Sequence, residues 1–257
     1  MTCLDAGEEY LARGWNALAL CPPSHCGVPR AHAASCRKPG KVPLRPWARL
    51  HRSRQTPGEL RADFGRHPNA NVGVVLGPVS GLVGVDCDDE ASFAAVESLL
   101  GGDVPPGVPS FRTGRGLRLL FSTPEGGVPC VSGLLPGGAE LLAAGRQTVM
   151  PPSAHASGRR YAWLSRPGPH APRPLPPALA ASARAADKFP PAGDGAPITD
   201  GRKRRLFHLA CSLRRYGATP GEIRLCLGVF NERCDPPLPG GKLDEIAASA
   251  SRYGPRY

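Results

Sequence analysis

Apolar residues recur at two spacings along this chain, and each spacing points to a different kind of element. Residues 2–13 carry helix-spaced positions that stop at Gly14, which predicts an opening helix, and residues 15–20 form a short apolar run suited to a strand. Residues 72–76 and 82–85 are further apolar runs bounded by glycine; their brevity predicts buried strands rather than helices. Between 91 and 100, Phe93, Val96 and Leu100 share one helical face that Gly101-Gly102 terminates. Residues 118–121 and 148–150 read as two more strands. Tyr161 and Trp163 alternate on another, where core packing accounts for them better than a base-stacking platform. Strands interleaved with a few helices predict an α/β (α+β) domain.

From about residue 165 to 199, proline, alanine and glycine dominate and the periodicity fades. The stretch 166–199 reads as a linker, with room for one short helix around 177–188. Helix spacing then returns. Leu206, Leu209, Ala210 and Leu213 run to Gly217, and Thr219-Pro220-Gly221-Glu222 is a capping box with proline at the first helical position. Ile223, Leu227 and Phe230 mark a second helix, and Leu243, Ile246 and Ala250 a third. The predicted organisation is a large domain at 1–165, the linker, and a small helical domain at 200–257.

Composition narrows the class. The chain has 257 residues, of which 41% are hydrophobic, enough for one substantial core plus a satellite. No apolar run approaches the roughly 20 residues that cross a bilayer. The first residues, with Asp5, Glu8 and Glu9, lack the basic-then-apolar order of a signal peptide, so a cytoplasmic protein without a membrane partner is expected. A formal charge of +11 favours a polyanionic partner, because cationic side chains release counterions from phosphates. Abundant Arg, Ala, Gly and Pro, as GC-rich coding produces, account for that charge equally well, so charge supports a motif argument without replacing one. Nine cysteines in a reducing compartment do not read as a disulfide framework.

Three of those cysteines cluster. Cys21-Pro22-Pro23-Ser24-His25 is followed, after six residues, by His32-Ala33-Ala34-Ser35-Cys36. Two soft sulfurs and two imidazoles in a short loop can make a closed tetrahedral Zn²⁺ site, structural because four protein ligands leave no open position. Cys26 competes with His25 as a ligand, and the spacing differs from the usual Cys-x-x-Cys knuckle. The alternative is a loop with incidental thiols.

The second chemical signal is Gly81-Leu82-Val83-Gly84-Val85-Asp86-Cys87-Asp88, an apolar strand ending in two carboxylates. Strand side chains alternate, so Asp86 and Asp88 point the same way, and paired acids at a strand end suit Mg²⁺ or Mn²⁺. The alternative is an Asp-rich turn in which Asp88 or Asp89 caps the helix beginning near Glu90.

Downstream come Thr113-Gly114-Arg115-Gly116-Leu117-Arg118-Leu119-Leu120-Phe121, Ala139-Glu140-Leu141, and Val149-Met150-Pro151-Pro152-Ser153-Ala154-His155 with Gly158 and Tyr161. With Gly40-Lys41-Val42-Pro43, Trp47, Asn71-Val72-Gly73 and Gly77, this order resembles the bifunctional primase-polymerase domain of the archaeo-eukaryotic primase superfamily, over roughly residues 5–165. The resemblance implies a primase-like catalytic domain with a mixed sheet, acting as a DNA primase and DNA polymerase, a nucleotidyltransferase. It implies that Asp86, Asp88 and Glu140 are catalytic and hold Mg²⁺ or Mn²⁺. Arg118 stands where the family has a histidine near the incoming nucleotide's phosphates. Arginine binds phosphate bidentately but cannot act as a base near neutral pH, which divides an active enzyme from an inactive nucleic-acid-binding replication protein.

The same resemblance implies nucleotide contacts at Arg118, Arg115, Ser153, His155 and Lys41. His155 reads equally as a loop histidine, and Lys41 as a surface lysine. Some members carry a similar Cys/His insertion before the Gly-Lys segment, which favours Zn²⁺ on Cys21, His25, His32 and Cys36. Residues 200–257 resemble the helical domain that follows such catalytic domains, with Arg202, Lys203, Arg204 and Arg205 as a basic face toward template or as a solvated helix start. The implied partners are single-stranded DNA template and nucleoside triphosphates. No Gly-x-x-x-x-Gly-Lys-Ser/Thr loop follows, so a helicase, in plasmid, phage or mobile-element replication, is expected as a separate chain. A metal-dependent nuclease using the same acids would leave the Pro-Pro-Ser segment and the helical domain unexplained.

Overall fold

A computed structural model describes residues 1–131, 133, 135–187 and 195–251. The chain divides into two compact units after residue 188. The first opens with helix α1 (Cys3–Ala12), begun by a Thr2 capping box, and passes to strand β1 (Ala17–Leu20). The Cys/His segment follows and contains a short helix, α2 (Arg30–Ser35), where only a loop was expected. Helix α3 (Pro57–Arg66) was not foreseen; a Thr56/Glu59 capping box with proline at its start nucleates it. Its Leu60 and Phe64 are buried in the first core, each contributing about 1.5–3 kcal/mol of hydrophobic stabilisation.

Strands β2 (Asn71–Val75) and β3 (Leu82–Cys87) lead to α4 (Glu90–Leu100), which Asp89 caps through a bond from the Ser92 amide at 2.8 Å. Asp89 therefore takes the capping role, and Asp88 is left for other work. Strands β4 (Ser110–Arg112), β5 (Leu117–Ser122), β6 (Glu140–Leu142), β7 (Gln147–Val149) and β8 (Ala162–Ser165) complete two sheets, in the orders β1-β2-β7 and β6-β3-β5-β4-β8. The α/β class holds. The sheets differ in one detail from the mixed sheet expected: every ladder between these strands is antiparallel.

Alternation along the larger sheet separates its faces. Val83, Val85, Cys87, Leu119, Phe121 and Leu141 enter one core with Val96 of α4, while Leu82 and Leu120 enter the other core with the smaller sheet. Even-numbered Asp86, Arg118 and Glu140 consequently share the face opposite α4.

The stretch expected as a linker at 166–199 holds the short helix expected around 177–188, and that helix packs into the first unit's second core. This helix is α5 (Pro177–Asp187), and Leu175, Leu179, Ala180 and Ala183 are buried there. Its apolar stripe is mostly alanine, which packs closely but carries a weak hydrophobic signal. The end of the expected helix at Lys188, and linker residues 188–194, lie outside the described residues.

The second unit contains α6 (Arg202–Arg215), α7 (Pro220–Asn231) and α8 (Gly240–Ser251). Leu206, Ala210, Ile223, Leu227, Leu243, Ile246 and Ala250 form its core. The buried Asn231 fixes the turn before α8: its Nδ2 donates to the Leu238 carbonyl and its Oδ1 accepts from the Leu238 amide, both at 2.9 Å. Among the described residues, no helix is long and apolar enough to cross a membrane.

Candidate active site

Antiparallel register brings the acids together. Asp86 on β3 faces Arg118 on β5 to one side and Glu140 on β6 to the other, so the three form one row across three adjacent strands. Asp88 lies just past the end of β3 and lines the same cavity, of about 610 Å³, as Asp86, Arg118 and Glu140. Gln147 and Val149 of β7 belong to the cavity wall as well, so the cleft lies between the two sheets.

The glycine-rich turn fits against this row for a steric reason. A Cβ on Gly116 would lie 2.0 Å from the Cys87 carbonyl oxygen, and one on Gly114 would lie 2.1 Å from the His155 ring. Only glycine lets the turn pack beside the acid strand and beneath His155. The Thr113 hydroxyl accepts from the Gly116 amide at 3.0 Å and holds the turn closed.

Arg118 is buried, at 9% exposure. Its Nη2 donates to Asp86 Oδ2 and its Nη1 to Thr148 Oγ1. The other oxygen, Asp86 Oδ1, is buried with no hydrogen-bond partner among the described residues. A buried, unpartnered carboxylate oxygen is costly. Beside Glu140 and Asp88, it suits a divalent cation, so the residues present fit such an ion.

The charges in the cleft perturb one another. Burial first, then repulsion from Asp86 and Asp88, raises the Glu140 pKa above the ordinary carboxylate value, against the opposing pull of Arg118 and Arg146. Burial and the neighbouring Asp86 push the Cys87 thiol up to about 12, so it stays a thiol on the opposite face. Desolvation in the cleft, then repulsion from Arg118, lowers the pKa of Lys41. Desolvation, then Lys41 and Arg115, lowers that of His155 and keeps its ring neutral at neutral pH. The Ser157 amide donates to His155 Nδ1 at 3.1 Å, which leaves the ring proton on Nε2.

A second set of donors converges in the Cys/His segment. Ligand atoms of Cys21, His25, His32 and Cys36 all lie within 4.8 Å of one another. The Cys21 and Cys36 sulfurs are 3.9 Å apart, close to the roughly 3.8 Å that two 2.3 Å zinc–sulfur bonds make at the tetrahedral angle. The Nε2 atoms of His25 and His32 are buried and unpartnered. His32 and Cys36 are four residues apart on α2 and its cap, hence on one side. Cys26 is exposed and lies outside this set.

The comparison with known families fits this geometry. Residues 7–178 match the model described as bifunctional DNA primase/polymerase, N-terminal. The chain belongs to that primase/polymerase family. Residues 199–256 match the model described as primase C terminal 1, so the chain is a primase/polymerase-type replication protein. No curated protein matches it.

Of the residues the sequence nominated in this primase/polymerase domain, Asp86, Asp88, Glu140, Arg118, Arg115, Lys41 and His155 line the one cleft. Ser153 does not line it. Its fully buried hydroxyl accepts from the Val72 amide at 2.9 Å and donates to the Val72 carbonyl at 3.0 Å, so Ser153 clamps the backbone of β2 rather than making the nucleotide contact expected of it. Sequence reasoning missed Lys38 and Arg146, which also line the cleft. The doubled lysine of the Lys38-Pro39-Gly40-Lys41 turn was a usable signal; Arg146 had none beyond Gly145 before it.

In the primase C-terminal unit, Arg202, Lys203, Arg204 and Arg205 occupy the first turn of α6. Consecutive helical residues lie about 100° apart, so four of them surround the helix rather than form one face. Lys203 is exposed, and Arg202 donates to the Pro236 carbonyl.

Proposed function

We propose that the first unit catalyses template-directed nucleotidyl transfer on single-stranded DNA, making or extending primers from nucleoside triphosphates. The supporting observation is the row of Asp86 and Glu140, joined by Asp88, in a cavity that also collects Lys38, Lys41, Arg115, Arg118 and Arg146. Acids and cations in one 610 Å³ cleft suit a ligand that carries both phosphates and metal ions. Mg²⁺ or Mn²⁺ held by Asp86, Asp88 and Glu140 would neutralise phosphate charge and favour the deprotonated hydroxyl. Lys41, Arg115 and Arg146 bind the phosphates, and the His155 Nε2–H donates to one of them. Arg118 is held in place by Asp86 and Thr148 and fixes the row. The reading includes a structural Zn²⁺ on Cys21, His25, His32 and Cys36, and template contact by Lys203 and its neighbours. Replication of a plasmid, phage or mobile element with a separate helicase is the context that suits such a chain.

Primer-extension and de novo priming assays with Mg²⁺ and Mn²⁺ test this. Incorporation that falls by about 10²–10³-fold in Asp88→Asn is expected. A second reading, a non-catalytic nucleic-acid-binding replication protein, draws on the Arg118–Asp86 pair, which engages one oxygen of a metal-binding acid. DNA binding without incorporation in the wild type, with incorporation gained in Arg118→His, would favour it.

A further inference from the structure

We infer that Arg118 is a built-in counter-ion that limits the acidic row to one divalent cation, where three carboxylates would otherwise take two. This rests on the metal reading of the cleft proposed above, and it concerns how many ions the row takes rather than whether it takes any.

The register carries the inference. Asp86 stands between Arg118 and Glu140 on directly neighbouring strands, which lie about 4.8 Å apart, so the guanidinium sits where a second ion bridging from Asp86 toward β5 would have to sit. The guanidinium is held from two sides, by Asp86 Oδ2 and by the Thr148 hydroxyl. At 9% exposure it has little room to withdraw into water. It also cannot leave by losing its proton, since arginine stays charged at any pH the fold survives.

The charges agree with the geometry. Three carboxylates less the Arg118 guanidinium leave two negative charges on the row itself, and the same cleft already holds Lys38, Lys41, Arg115 and Arg146. A second ion would place a net positive charge in a partly buried row and would lie against Arg118. The oxygens point the same way. Asp86 Oδ2 is taken, whereas Asp86 Oδ1 is buried and unpartnered, and Glu140 is the neighbour across the other ladder. One ion can therefore draw on Asp86 Oδ1, Glu140 and Asp88 without disturbing Arg118. With neutral side chains at position 118, both oxygens of Asp86 become ligands and the row can take two.

Counting bound Mn²⁺ tests this without using activity. The full chain, with its Cys/His segment loaded with Zn²⁺, is titrated with Mn²⁺ in the absence of nucleotide, and free Mn²⁺ is followed by electron paramagnetic resonance. The wild type is expected to bind one Mn²⁺ and Arg118→Gln two, with a dipolar-coupled signal from the pair. Arg118→His at pH 8, where imidazole is neutral, is a second variant that should also bind two. Arg118→Lys keeps the charge and should bind one. Two ions in the wild type, or one ion in both neutral variants, overturns the counter-ion role while leaving the metal reading intact. Binding that is absent from every form, or unchanged in an Asp88→Asn/Glu140→Gln double variant, overturns the metal reading and this inference with it.

Discussion

The acidic cleft and the Cys/His segment both collect donors suited to metal ions, yet they are supported in opposite ways. In the cleft, Asp86, Arg118 and Glu140 stand on paired strands of a five-stranded sheet with a buried core behind it. The row keeps its shape through its ladders, and Arg118 offsets part of its charge. The Cys/His segment has no such frame. Its helix α2 has six residues and none of them is buried, too few to be stable alone. Within residues 21–36 only Cys21 and Pro22 are buried. On the proposed reading, a cation in the cleft would serve chemistry, whereas a cation in the segment would serve folding.

The largest expected effect tests the cleft's half of that contrast. Asp88 is exposed and takes part in no ion pair among the described residues. Asp88→Asn should lower nucleotide incorporation by about 10²–10³-fold, the usual loss when one preorganised charge at a reacting centre is removed. Its stability should change by no more than about 0.5 kcal/mol, because it is a surface change that removes one of several like charges. Thermal melts beside steady-state incorporation read both numbers. A large drop in melting temperature would mean the acids hold the fold, and the contrast would fail.

The next effect tests the other half. Cys36→Ser should abolish zinc binding and destabilise the first unit by more than about 2 kcal/mol, since losing a metal site is among the few mechanisms with large effects. Chelation of the wild type should do the same, with Zn²⁺ restoring the melting temperature and Mg²⁺ failing to. Segment and cleft are linked through the chain: the Cys21 backbone amide donates to the Val42 carbonyl at 2.8 Å, and the Gln147 side-chain Nε2 donates to the Lys41 carbonyl at 2.8 Å. Zinc loss should therefore weaken nucleotide binding through Lys41 as well. Equal melting temperatures with and without zinc would put the segment in the same class as the cleft.

How much of this was legible in the sequence depended on how local its cause was. The tetrapeptide Thr-Pro-Gly-Glu occurs twice, at 56–59 and 219–222, and both copies form capping boxes. The second was readable because Ile223, Leu227 and Phe230 extend its apolar stripe. The first was not, because Leu60 and Phe64 stand among Arg61, Asp63 and Gly65 and the stripe ends after one turn. Strand β4 has three residues behind Pro109, too short to show alternation. Asp86 and Asp88 were legible as a strand end and the four donors at 21–36 as a Cys/His cluster, whereas Glu140 was singled out only by the family resemblance. The pairing of Asp86 with Arg118 was not legible, since register is set by ladders between strands distant in sequence. Ser153 misled for the same reason: its partner, the backbone of Val72, is 81 residues away.

Ser153 yields an intermediate effect. Ser153→Ala leaves the Val72 amide and carbonyl without their buried hydroxyl partner, at a cost of about 1–3 kcal/mol. Chemical denaturation should record that loss while KM for nucleotide stays unchanged. A raised KM with unaltered stability would return Ser153 to the cleft and make the frame around the acids less self-sufficient than argued.

The smallest effect sharpens the contrast at the one ligand position for which two residues compete, His25 and Cys26. His25 has a left-handed backbone, with φ of 55°, which costs a non-glycine residue on the order of 1 kcal/mol. That conformation accompanies an imidazole set edge-on to His32, with ring centroids 5.8 Å apart, and an unpartnered buried Nε2. The Cys26 thiol points elsewhere: it accepts weakly from Asn69 Nδ2 at 3.6 Å and is exposed. Strain at His25 is understandable if binding a metal offsets it, and Cys26 receives no such return. Cys26→Ser should therefore keep one zinc per chain and change stability by less than about 0.5 kcal/mol, whereas His25→Ala should lose the zinc. Elemental analysis of the two variants decides the matter. Zinc lost from Cys26→Ser and kept in His25→Ala would assign the ligands Cys21, Cys26, His32 and Cys36, and the strained backbone at His25 would then need another cause.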